Sequence, residues 1–123
     1  MSPARCAATW QRRAERDGFY AMMEAFRNST PGLAARAVPG PAPYEQIPAL
    51  AARGRSRVQS FFATIDAQLA AHPFIAGKRF SIADITALVT IDWARWIKLV
   101  PPDDCAHLKR WHAQVSARPS AAA

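Results

Sequence analysis

The sequence predicts an all-α fold, a helical bundle packed around a buried central helix. Three observations carry the prediction. Apolar residues recur at helical spacing, no run alternates as a strand would, and one segment opens with a complete helix-start signature before turning apolar on nearly every side. At 123 residues the chain fits one domain of ordinary size, and 50% hydrophobic with 20% charged residues is a globular balance. Residues 10–120 are read as the helical domain, 1–9 as unstructured or the start of the first helix, and 121–123 as a tail.

The first helical segment is expected over about Ala8 to Asn28, where Phe19, Met22 and Phe26 share a face at i, i+3 and i+7. Gly18 weakens its middle by about 1 kcal/mol relative to alanine. Asn28-Ser29-Thr30-Pro31-Gly32 stops it. Pro39, Pro41, Pro43 and Pro48 then exclude a regular helix before Ile47, because proline lacks an amide donor and restricts the residue before it.

A long helix follows over Ala49 to Ala71, with Val58, Phe61, Phe62, Ile65 and Leu69 forming its apolar stripe. Gln59, Ser60 and Asp66 fall off the stripe, on the expected outer face. Ser81 and Asp84 have the spacing of a capping box, and Phe80 and Ile85 that of the matching hydrophobic staple. The helix they open carries Ile82, Ile85, Leu88, Ile91, Trp93 and Ile97, so it is read as buried all round. Asp92 is the charge on it that needs a partner, and Arg95 at i+3 is the nearest candidate. After Pro101-Pro102, Asp103 or Asp104 is expected to cap a last helix whose inward face is Leu108, Trp111 and Val115. Trp93 and Trp111 are read as core.

Several function classes are excluded. Cys6 and Cys105 form no CxxC pair, and His107 and His112 are five apart rather than at the i, i+4 spacing of a helical metal pair, so no metal site is expected. No segment has the form of a secretory signal or reaches the roughly 20 apolar residues of a membrane span. A reduced, cytoplasmic compartment is the simplest reading. The net charge of +7 favours anionic partners, but the arginines are scattered along the chain, which argues against nucleic-acid binding. No GxSxG, P-loop or dinucleotide fingerprint is present.

Phe74-Ile-Ala-Gly-Lys-Arg-Phe-Ser-Ile-Ala-Asp-Ile85 resembles the capping-box and staple segment of cytosolic glutathione S-transferases. Leu108 to Ser120, with its Arg118-Pro119 ending, is similar to the same family's closing helix, and Trp10 to Glu15 to the first helix of its C-terminal domain. The three in order cover about Trp10 to Ser120 and look most like bacterial members.

The resemblance implies the C-terminal, electrophile-binding domain of an enzyme that conjugates glutathione to an apolar electrophile, homodimeric when complete. The family's thioredoxin-like domain carries the catalytic residues, and no segment of this sequence is assigned to it. No catalytic residue and no cofactor beyond the co-substrate glutathione is therefore expected here, and the chain alone is expected to be inactive. In the family the first and central helices line the electrophile pocket. That implies Arg16, Tyr20, Met23 and Arg27, at i, i+4, i+7 and i+11, together with Trp96, as substrate-binding residues. The alternative is that Tyr20 and Met23 are core and the arginines are solvated. A stand-alone helical module for protein interaction is the competing function, and the electrophile and transferase class stay open.

Overall fold

Ser2 sets the start of the first helix, earlier than the apolar pattern suggests. In the computed structural model, which describes residues 2–122, its hydroxyl accepts from Arg5 N at 3.2 Å. Pro3 follows at the N-terminus, where its missing amide costs nothing, and α1 spans Pro3–Arg13. The helix does not then continue in α register. Ala14–Phe19 is a π-helical segment, and α2 resumes over Tyr20–Arg27. Gly18 lies buried inside that segment, and a Cβ there would come within 2.7 Å of the Phe61 ring. The glycine that weakens the helix locally is what lets it close on its neighbour.

The proline-rich stretch is held from the end of α2. Arg27 donates to the carbonyls of Arg36 at 2.6 Å and Ala37 at 3.2 Å. Gln46 Nε2 donates to the carbonyls of Arg27 and Thr30, and Asn28 Oδ1 accepts from Ile47 N. Helix α3 then runs over Pro48–Ala71 with the expected stripe buried. Full burial of side chains such as Phe62, Ile65 and Leu69 stabilises by about 1.5–3 kcal/mol each. At Gly54 the helix crosses α2 so closely that a Cβ would lie 2.7 Å from Ala21 O and Ala25 N. Beside this crossing Arg53 bonds Glu24 through both carboxylate oxygens, which lowers the Glu24 pKa from its ordinary value.

Helix α4, Ile82–Trp93, opens with the predicted capping box. Its carboxylate does more than cap. Asp84 is wholly buried, and its Oδ1 also accepts from Ile75 N at 3.1 Å and Trp111 Nε1 at 2.8 Å. Asp84, rather than Asp92, is thus the buried charge of this helix. Asp92 lies nearer the surface and pairs with His112 Nε2 at 2.7 Å, so its partner comes from another helix and not from Arg95.

The all-round burial expected of α4 needs correction. Ala83, Asp84, Ala87, Thr90 and Ile91 face the core, while Ile82 and Ile85 on the other side are at least half exposed. Small residues on the inner face let α1 and the π segment pack close, and the bulky ones are left outside. A short 3-10 helix, Ala94–Ile97, follows and ends at Lys98 in the left-handed region, φ 59°.

Helix α5, Ala106–Ser116, buries Leu108, Trp111 and Val115 as the pattern predicts. Neither Asp103 nor Asp104 caps it. Cys105 occupies the cap position without a side-chain bond, and Asp66 reaches across from α3 to accept from Leu108 N at 2.9 Å. Asp103 instead bonds Lys109 at 2.6 Å, which lowers its pKa. Among the described residues there is no β-strand, only isolated bridges at Arg36–Tyr44 and Phe74–Gly77.

Candidate functional site

The π segment decides which side chains meet α4. A π turn holds one residue more than an α turn, so everything downstream is rotated by about 100° from where continuous helix would place it. Phe19 and Tyr20 emerge from this turn towards the outer face of α4. Their rings lie 6.0 Å apart, and Phe19 is 6.0 Å from Trp93. Trp93 stacks on Trp96 at 4.9 Å with planes 18° apart, and Trp96 meets Phe26 of α2 at 5.5 Å. The five rings form one continuous row from Tyr20 to Phe26. Much of it is open to solvent, with Tyr20 61%, Trp96 57% and Trp93 37% exposed.

Beside the row lies a shallow groove of about 310 Å³ lined by Glu15, Phe19, Tyr20, Ile85, Thr86 and Val89. Its floor is fastened to α1, since the Thr86 hydroxyl donates to Gln11 Oε1 at 2.8 Å and Gln11 Nε2 donates to Glu15 at 2.8 Å. Tyr20 also borders a second groove, lined by Thr9, Arg12, Arg13, Glu15 and Arg16. Arg13 packs its guanidinium 4.1 Å from the Trp10 ring centroid, and Arg16 bonds Asp17 at 3.0 Å, which raises the arginine pKa. An aromatic strip with a basic flank results.

The residues singled out in the sequence divide accordingly. Arg16 and Tyr20 share the basic groove, and Trp96 sits in the ring row. Met23 is half-buried against the core beside them. Arg27 faces elsewhere and spends its guanidinium on the Arg36 and Ala37 carbonyls. Phe19, Phe26 and Trp93 belong to the row although their spacing reads as core. Trp93 in particular is a correction, since the α4 core is built from smaller residues and leaves the indole at the surface. No signal in the sequence marks the π turn, which is why the facing side chains were not legible.

Chemically the strip offers stacking surface and cations. Among the described residues no group of three or more His, Cys, Asp or Glu side chains could hold a metal ion. Cys105 is buried, and desolvation raises its thiol pKa, which disfavours the reactive thiolate.

The comparisons with known proteins agree with this architecture. The family model for the glutathione S-transferase C-terminal domain matches residues 15–119. A 55-residue stretch is 38% identical to glutathione S-transferase 2 of Saccharomyces cerevisiae, covering 45% of this chain and 24% of that protein. The crystal structure of a glutathione S-transferase domain-containing protein from Marinobacter aquaeolei VT8 superposes with TM-score 0.84 at 33% identity, covering 98% of this chain and 57% of that one. The crystal structure of Gtt2 from Saccharomyces cerevisiae gives TM-score 0.81 at 28% identity, covering 92% and 52%. The chain spans about half the length of these solved relatives.

Proposed function

The chain belongs to the glutathione S-transferase family through its C-terminal helical domain, and from that premise we propose that its aromatic strip is the wall that holds an apolar electrophile for conjugation to glutathione. The observation that carries this reading is the exposed row Tyr20–Phe19–Trp93–Trp96–Phe26. Rings cost little side-chain entropy to present, and an electron-poor aromatic ligand gains by stacking on them. Trp96 and Tyr20 give the stacking surface, Met23 an adaptable apolar contact, and Arg16 a cation for the carboxylates of glutathione. The tripeptide, the second substrate, a thioredoxin-like partner domain and a homodimeric assembly belong to this proposal. A cytoplasmic location fits the free thiols Cys6 and Cys105, and no helix among the described residues is long and apolar enough to cross a membrane.

Adding chlorodinitrobenzene should quench the tryptophan fluorescence of the chain in a saturable way. Trp96→Ala should weaken this binding by about 1 kcal/mol or more, the worth of one aromatic pair. Glutathione and chlorodinitrobenzene together should give no turnover on this chain, since no residue is assigned to hold the thiolate. Unsaturable quenching that Trp96→Ala leaves unchanged would sink the electrophile reading. A second reading, a helical module that docks another protein, draws on the exposed Ile82 and Ile85, of which Ile85 borders Phe19 and Tyr20.

A further inference from the structure

On the side of α4 turned towards α5 a separate cleft of about 380 Å³ opens. Its α4 wall is Ile91, which lies two residues from Trp93 and so about 160° round the helix from the ring row. Ile91 and Leu108, both buried, form an apolar floor, and Val100 and Pro101 form one rim. That rim exists because Lys98 takes a left-handed conformation where glycine is the usual residue. Leu99 N then closes back on Ala94 O at 3.0 Å, and the following residues fold along the helix end.

The polar lining is Arg95, Lys109, His112 and Asp103. Its charges are unevenly committed. Asp103 is taken by Lys109 at 2.6 Å, and Asp92, from the α4 side, is taken by His112 at 2.7 Å. The exposed Arg95 side chain takes part in none of the hydrogen bonds and ion pairs among the described residues. One unengaged guanidinium above an apolar floor selects a ligand with a single planar anionic group and an apolar body. A phosphate or other dianion would call for more free cations and a more polar floor.

We propose that this cleft binds a small organic carboxylate, its apolar body against Ile91 and Leu108 and its carboxylate on the Arg95 guanidinium, with Lys109 and His112 flanking. The site is distinct from the aromatic strip, and the inference does not depend on the electrophile reading.

Benzoate is the probe. Titrated into the labelled chain, it should shift the backbone amide signals of Arg95, Leu108 and His112 and saturate at about millimolar concentration or below. Benzyl alcohol, with the same body and no charge, should bind at least about tenfold more weakly. Arg95→Gln changes an exposed side chain that holds no hydrogen bond or ion pair among the described residues, so the fold should survive while benzoate affinity falls about tenfold or more. Arg95→Lys keeps the charge without the fork and should fall in between. Absence of shifts in the cleft at about 20 mM benzoate, equal binding of the alcohol, or indifference to Arg95→Gln would each overturn the proposal. So would shifts confined to Phe19, Trp93 and Trp96.

Discussion

Donors converge on the Asp84 carboxylate from three directions: the Ser81 amide and hydroxyl, the Ile75 amide and the Trp111 indole. The carboxylate is fully buried, and its bonds to Ile75 and Trp111 are made where water cannot replace them. It ties the start of α4 to the preceding turn and to α5. Asp84→Ala should therefore cost about 3–5 kcal/mol, because buried donors are left unpaired as well as a cap lost. Urea unfolding monitored by circular dichroism measures this, and a loss near 1 kcal/mol would reduce Asp84 to an ordinary cap. The capping box was legible because its two members are three residues apart on one helix. The Trp111 and Ile75 bonds were not, since nothing local specifies a partner from another element. The same reason put His112, not Arg95, on Asp92, and Asp66, not Asp103 or Asp104, at the start of α5.

The first helix shows the difference between propensity and packing. By propensity alone Gly18→Ala should stabilise by about 1 kcal/mol. The structure reverses the sign, since the new Cβ would sit 2.7 Å from the Phe61 ring in a buried contact. Overpacking of this kind costs about 1–3 kcal/mol, so a lower melting temperature is expected for Gly18→Ala. Phe61→Leu, destabilising by itself, should cost less in the Gly18→Ala background, because the smaller side chain makes room. Additive losses in the double variant would show that Gly18 and Phe61 do not compete for this space. The outcome bears on the strip too, because the π turn that contains Gly18 sets the rotation of Phe19 and Tyr20. An apolar sequence all round α4 predicts burial all round, yet Ala83, Asp84, Ala87, Thr90 and Ile91 form the inner face while Trp93 and the outer isoleucines stay at the surface.

Across the whole molecule, Ile85 and Val89 of α4 border Phe19 and Tyr20 in one groove, and Trp93 and Trp96 join Phe19 to Phe26 in the ring row. Tyr20, Ile82, Ile85, Trp93 and Trp96 are all substantially exposed. Surfaces of this kind mark interfaces or drive association. The chain in solution is expected to self-associate as its concentration rises through about 10–200 μM, with Trp96→Gln shifting the onset upward. Light scattering decides the matter, and a monodisperse monomer across that range would mean the strip is too broken up to pair. The Glu24–Arg53 pair lies exposed at the α2–α3 crossing and is expected to add little beside the packing there.

By itself the sequence determined the helical class, the main helices, the α3 and α5 core stripes and the capping box, and through three ordered motifs the family resemblance. These are local properties: spacing on one helix, residue preference at a terminus, proline at a break. Tertiary structure alone decided which surface is bare and what each charge touches. It turned Arg27 to the proline-rich loop and brought Trp93 into the ring row, and it left Arg95 unengaged over a cleft. Those outcomes depend on how far one helix can approach another, which Gly18 and Gly54 govern through the side chain they lack.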